Sequence, residues 1–208
     1  MNGRGDRQAT RQAILQAVGT LLAREGFAAL GVNAIAREAG VDKVLIYRYF
    51  GGLPQLLDAY GRDGGFWPSV DEVLDGVDGA GSDAERLSRF LGNFIVALRA
   101  RPLTAEILAM EIGTPNALSH TLDQVRQAWG EQVAKRLARP GQADMRQLDT
   151  VVSVVLAGIQ YLVIRARNTA RFSGIAIDGD AGWQQIRSDL HWLCAHLLPS
   201  VDSPENTP

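Results

Sequence analysis

Apolar residues recur along most of this chain at the three-to-four-residue spacing of a helix face, and alternating, strand-like stretches are almost absent. Ile14, Leu15, Val18, Leu21 and Leu22 form one such face and predict an amphipathic, core-facing helix that stops near Gly26. Two short helices follow. One runs from about Asn33 to Ala39 and is ended by Gly40; the next is opened by Asp42 as N-cap and ended by Gly51-Gly52. Pro54 suits the first turn of a fourth helix, Pro54 to Arg62. From Gly61 to Asp83 the chain is rich in Gly and Asp and reads as a flexible connection. Beyond Ser82, Leu87, Phe90, Leu91, Phe94, Ile95 and Leu98 make another apolar stripe that runs to Arg101-Pro102. Further helices are expected at about 103–112, 116–138, 145–172 and 180–198, separated by Gly/Pro signals, with a frayed tail after Pro199. The fold class is all-α: a small N-terminal three-helix domain followed by a larger helical one.

Val151 to Ile164 is apolar nearly all the way round, interrupted only by Ser153, Gly158 and Gln160. Such a helix must be covered on several sides, and it is too short for a membrane span, which needs roughly 20 apolar residues. A subunit interface is the favoured cover, with a protein core as the alternative.

Composition narrows the class. The chain has 208 residues, 46% hydrophobic and 21% charged, the mix of an ordinary soluble globular protein. The start, Met1 to Asp6, carries no apolar segment of a secretory signal, and the single cysteine, Cys194, fits a reducing compartment, so a cytoplasmic location is expected. Net charge is only −2, but it is unevenly spread. Residues 1–62 hold eight Lys/Arg against five acids, whereas the remainder holds 13 basic and 18 acidic residues. A basic head on an acidic body suggests that the head alone approaches phosphate.

Residues 35–50 have the spacing of a helix-turn-helix. Ala36 is the small residue where two helices touch, Gly40 makes the turn, and Ile46 packs back, with Ile35, Val41 and Phe50 completing a miniature core. Ile46, Tyr49 and Phe50 then lean inward and leave Lys43, Val44, Tyr47 and Arg48 on a face able to enter a major groove. Lys43 and Arg48 suit guanine edges or phosphate, Val44 and Leu45 suit thymine methyls, and Tyr47 suits phosphate. On spacing alone, an αα-corner in an unrelated helical protein remains open.

The stretch Val32-Asn-Ala-Ile-Ala-Arg-Glu-Ala-Gly-Val-Asp-Lys-Val-Leu-Ile-Tyr-Arg-Tyr-Phe50 resembles the N-terminal signature of the tetracycline-repressor (TetR) family, and the preceding helix ending in Arg-Glu-Gly26-Phe27 is similar to that family's first helix. The resemblance covers about the first 60 residues. It implies a recognition helix at 43–49, a phosphate contact from Tyr47, and a C-terminal domain that dimerises and binds a small molecule. The candidate DNA-contacting set is Lys43, Val44, Leu45, Tyr47, Arg48 and Tyr49, flanked by Asn33 and Arg11. Three positions depart from the family pattern: Gly31 stands where a Thr usually caps the second helix, Tyr49 replaces a His, and Leu53 replaces a Lys. Each lost Lys contact lowers the salt slope of binding by about 0.9. Arg4, Arg7 and Arg11 on the N-terminal arm are placed to compensate, although a floppy, solvated arm is the expectation.

The domains are accordingly expected at 1–52 (DNA-binding) and 53–199 (effector-binding and dimerisation), with a disordered tail at 200–208. The family's effector pocket lies among the central helices, which makes Phe66, Trp67, Phe94, Met110, Glu111, His120, Trp129, Tyr161 and Arg165 the candidates, each with plain core or surface as its alternative. Glu106, Glu111 and Arg165 can equally be salt-bridge partners. The aromatic content suggests a largely apolar effector. The last two helices, with Trp183, Ile186, Leu190, Leu193, Cys194, Leu197 and Leu198 on the second, suit a homodimer that reads a palindromic operator, or a pairing within one chain. The expected function is a ligand-responsive transcriptional regulator of the repressor type, with no membrane partner.

Two other classes compete. For an enzyme, Gly-x-Ser-x-Gly, P-loop and His-Glu-x-x-His motifs are absent from the sequence, and Asp71 to Ser82 lacks the ligating residues of a calcium loop. His191 and Cys194 share a helix face from which His196 is turned away, so neither a metal site nor a cofactor is expected. A helical adaptor that has lost DNA binding stays open because the Thr, His and Lys are missing.

Overall fold

The computed structural model describes residues 3–63, 66–113, 117–138 and 146–198, and it is all-α apart from one small hairpin among those residues. The expected tail at 200–208 lies outside them. The order is α1 (Gly3–Glu25), a 3-10 turn (Phe27–Ala29), α2 (Val32–Glu38), α3 (Lys43–Phe50), α4 (Leu53–Asp63), α5 (Val70–Val73), α6 (Asp83–Arg99), α7 (Pro102–Gly113), α8 (Ala117–Leu137), α9 (Arg146–Ala166), strands β1 (Arg171–Phe172) and β2 (Ile175–Ala176), and α10 (Asp180–Leu197).

The chain divides into two compact units. The first comprises residues 1–67 and 101–128. Its core gathers Ile14, Leu15, Val18, Leu21 and Leu22 of α1 with Ile35 and Ala36 of α2, Ile46 of α3, and Leu56, Leu57 and Tyr60 of α4. Ile107 of α7 and Leu122 of α8 belong to the same cluster. Close approach depends on two glycines. A Cβ on Gly19 would lie 3.0 Å from the Leu103 side chain, and one on Gly61 would lie 3.0 Å from Thr121 and 3.1 Å from Leu122. The fourth helix is thereby seated directly on α8.

The second unit comprises residues 68–100 and 129–208. There α6 packs on α5, α9 and α10. Ser69 caps α5 through Glu72 N–H (3.1 Å), and Ser82 caps α6 through Glu85 N–H (3.2 Å). The connection expected to be flexible is packed where it is described. Val73, Leu74, Val77 and Ala80 are buried, and Arg86, itself buried, donates to the Val77 carbonyl at 3.3 Å. The glycines between them supply turns while the apolar residues still find a core, which outweighs the compositional signal.

Two helix boundaries also differ from expectation. The helix expected to reach 172 stops at Ala166, and the antiparallel hairpin Arg171–Phe172 with Ile175–Ala176 follows, turned by Ser173 (φ 47°) and Gly174 (φ 86°). At the other end, the arm expected to be floppy is helical from Gly3 onward.

Candidate nucleic-acid interface

The head owes its geometry to local chemistry that can be read residue by residue. Gly40 has φ 65°, a left-handed conformation suited to glycine. Its N–H donates to Arg37 O (3.2 Å) and that of Val41 donates to Ala36 O (3.0 Å), the paired bonds that close a helix C-terminus in a Schellman motif. Asp42 then opens α3, its carboxylate accepting from Val44 N–H at 2.8 Å. Gly51, at φ 91°, ends it with a bond from its N–H to Tyr47 O (2.9 Å). Two helices are thus set at a short fixed turn, and Ile46, with no exposed surface, holds the second against Ile35 and Ala36.

That anchoring decides what faces solvent. Lys43, Val44, Tyr47 and Arg48 are exposed, Val44 to 60% and Tyr47 to 55%. An apolar residue so exposed on a short helix between two cations makes a surface that can take up both phosphate and thymine methyls. Asn33 is exposed near the start of α2. Leu45 and Tyr49 are half-buried against the core, so their contact with a groove is at most partial.

Of the three departures from the family pattern, two have a clear structural meaning. Gly31 caps α2 with no side-chain hydrogen bond. Leu53 is half-buried on the core, a packing residue in place of a cation. Further support for the head comes from Arg24, which forks onto Glu38 with donor distances of 2.8 and 3.2 Å and ties α1 to α2. The hydrogen bonds from Arg24 hold the Glu38 carboxyl below its ordinary range.

The effector candidates fall into separate groups. In the first unit, Arg126 Nη1 stands 3.0 Å from Glu111 Oε2, its guanidinium lies 5.8 Å from the centroid of the half-buried Trp67 ring, and its other terminus reaches Asp123. Glu111 Oε1 is buried with no hydrogen-bond partner among the described residues, and burial raises the Glu111 pKa despite the opposing pull of Arg126. Phe66 is buried there as well, its carbonyl accepting from the buried Thr104 hydroxyl at 2.5 Å. In the second unit, Phe94 lies 5.5 Å from Trp129 and 6.4 Å from Phe90 by ring centroids, all three buried.

The remaining candidates do not join either group. His120 and Arg165 are exposed, and Tyr161 is exposed with its ring set edge-on to Phe172. The side chain of Met110 lies outside the described residues. His191 instead meets Ser88 Oγ through Nδ1 (3.1 Å), and burial pushes the Cys194 thiol up to about 11. Arg126 was not among the candidates. The signal for it was present, because it follows Leu122 by four residues and precedes Trp129 by three, a charge in the apolar register of its helix.

Residues 14–60 match the family model for bacterial regulatory proteins of the tetR family. No curated protein sequence matches the chain. Among solved structures, NalD of Pseudomonas aeruginosa, the secondary repressor of the MexAB-OprM multidrug efflux pump, superposes with a TM-score of 0.65 at 15% identity, over 95% of this chain and 100% of that one. The fatty acid degradation regulator FadR from Bacillus halodurans gives 0.63 at 17% identity over 89% and 94%. FadR from Bacillus subtilis, solved in complex with stearoyl-CoA, gives 0.60 at 16% identity over 88% and 96%. These likenesses are of fold. The head at residues 14–60 is the N-terminal domain of the TetR family, carried on the all-α fold of TetR-type transcriptional regulators.

Proposed function

We propose that this chain is a ligand-responsive repressor that binds a palindromic DNA operator as a homodimer and is released by a small, largely apolar effector. The observation that carries the reading is the recognition helix α3, whose Lys43, Val44, Tyr47 and Arg48 stand exposed on a head fixed by Ile46. Residues 1–52 act on DNA and 53–199 serve effector binding and dimerisation.

Support for the homodimer comes from α9. Val151, Val154, Gly158, Tyr161 and Arg165 alternate at three- and four-residue steps and are all exposed, the spacing of a helix that packs along another helix. Val154 is 66% exposed, and Trp192 on α10 is 61% exposed. The apolar stretch is longer than Val151 to Ile164: Leu148–Ala166 has a mean hydropathy of 1.6 and the length and composition to cross a membrane, with only 11% of its residues buried. The Gly158 position, open on its outer side, and the heptad-like spacing favour a second subunit as the cover.

Two chains related by a two-fold axis would present two recognition helices to successive major grooves. An effector that favours a conformer with a different spacing of those helices lowers DNA affinity. The close seating of Gly61 on α8 makes α4 the lever in this mechanism. For the effector, the buried aromatic group of Phe94 and Trp129 in the second unit suits an apolar ligand; Glu111 with Arg126 beside Trp67, in the first unit, is a separate candidate suited to a polar group. That FadR from Bacillus subtilis was solved with stearoyl-CoA supports a long apolar ligand as the first class to try.

Fluorescence anisotropy of the purified protein on a labelled duplex from upstream of its own gene tests the reading, with salt titration and unlabelled competitor. Saturable binding at two chains per site, weakened by Lys43→Ala and Arg48→Ala, is expected. Binding that ignores both substitutions would favour a helical adaptor, and partition of the protein into vesicles would reassign α9 to a membrane.

A further inference from the structure

Arg7 and Arg11 lie one turn apart on α1, and each guanidinium rests on an aromatic ring of the recognition helix. The Arg7 guanidinium carbon is 5.5 Å from the centroid of Tyr49, and that of Arg11 is 5.2 Å from the centroid of Phe50. At this range a guanidinium is attracted by the ring quadrupole. Tyr49 is half-buried against the head core and Arg7 is exposed, so the ring is the fixed partner and the cation the one that would otherwise swing free.

We infer that Tyr49 acts as a positioning residue that holds Arg7 against α3 as a DNA-phosphate contact, deepening the DNA-binding reading on which it rests. A guanidinium that presents its face to a ring keeps its N–H edge available, and that edge matches a phosphate in geometry and charge. Arg7 has no hydrogen bond or ion pair among the described residues, so this edge is uncommitted. The same ring cannot itself carry a charge to the backbone, and its half-buried setting limits its own approach to DNA. Arg11 stacks on Phe50 one turn along. With Leu53 turned into the core, two stacked arginines place cations beside the recognition helix that the apolar residue cannot supply.

The opposite end of the same helix is also fixed. Arg24 forks onto Glu38 of α2, so α1 is tied to both helices of the motif and its first turns are held as a rigid strut. This removes the entropy cost that a disordered arm would incur on binding.

The test uses the full-length protein and a labelled duplex of random sequence, with log affinity measured against log salt for Arg7→Ala in three backgrounds. In the natural background the slope should fall by about 0.9 per bound head, one phosphate neutralisation each. The same drop is expected in the Tyr49→Phe background, which keeps the ring. In the Tyr49→Leu background the drop should largely vanish, because an unheld arginine already contributes less; Tyr49→Met, an unbranched apolar replacement that adapts better to the vacated space, serves if the Leu variant melts below the assay temperature. An equal drop in all backgrounds, or none in the natural one, overturns the inference. A loss in Tyr49→Phe as large as in Tyr49→Leu overturns it too, by assigning the contact to the hydroxyl. Weakening by Lys43→Ala and Arg48→Ala without any from Arg7→Ala leaves DNA binding standing and removes only the role of Arg7. A natural protein with no salt-dependent duplex binding removes both.

Discussion

Gly31 is the N-cap of α2 in an extended conformation, φ −152° and ψ 154°, which any residue adopts. A Cβ placed there meets nothing within 4 Å, and no side chain caps the helix. Gly31→Thr therefore adds a hydroxyl that can accept from the backbone N–H two or three residues on, with no steric penalty. Replacing glycine as a cap gains a few tenths of a kcal/mol. Restricting the unfolded chain gains about 0.4–1 kcal/mol more. The sum is about 0.5–1.5 kcal/mol, and for a chain of this size about 1–6 °C in Tm. Gly31→Ala provides the control, since it shares the entropic gain but caps worse than glycine, and it should fall about 1 kcal/mol short of the Thr variant. Thermal unfolding followed by far-UV circular dichroism reads both. On DNA, a hydroxyl adds a hydrogen bond without a charge, so affinity should rise while the salt slope stays constant. A Thr variant no more stable than the Ala variant would refute the capping argument.

Leu53→Lys should raise the salt slope of DNA binding by about 0.9 per head while lowering Tm, because the new cation is gained at the expense of a half-buried packing residue; anisotropy and melting measured together separate the two. Arg126→Met should destabilise the protein by about 1–3 kcal/mol at neutral pH, by leaving Glu111 without its cationic partner. Because burial sets the folded pKa of Glu111 above its unfolded value, the cost should be least below the unfolded pKa and grow as pH rises through the folded one, which denaturant midpoints across pH would read. Gly182→Ala places a Cβ 1.6 Å from the Ala176 carbonyl oxygen, forcing the start of α10 off the hairpin and breaking the 2.8 Å bond from Trp183 Nε1 to Ile177 O; a loss of about 3 kcal/mol or more is expected by chemical denaturation.

The sequence by itself determined what depends on neighbours along the chain. Gly40 can adopt the left-handed turn, Asp42 can cap α3, and the periodicity around Ala36 and Ile46 selects the buried face, so the helix-turn-helix and its exposed Lys43, Val44, Tyr47 and Arg48 were legible before any coordinates. The family match over residues 14–60 falls on this same locally encoded segment. Tertiary structure decided what depends on residues far apart. Composition made residues 61–83 a flexible connection, yet Val73, Leu74 and Val77 are buried because a partner helix exists for them. Periodicity alone could not say which side of Val151 to Ile164 the chain covers; within the chain only Ile159 and Val163 of that stretch are buried. Arg7 over Tyr49 and Arg126 beside Glu111 are pairings across 42 and 15 residues, and neither partner carries a local mark of the other. Helix caps and turns are short-range sterics and hydrogen bonds, whereas charge pairing and burial are set by which surfaces meet, a choice made by the whole chain as it packs.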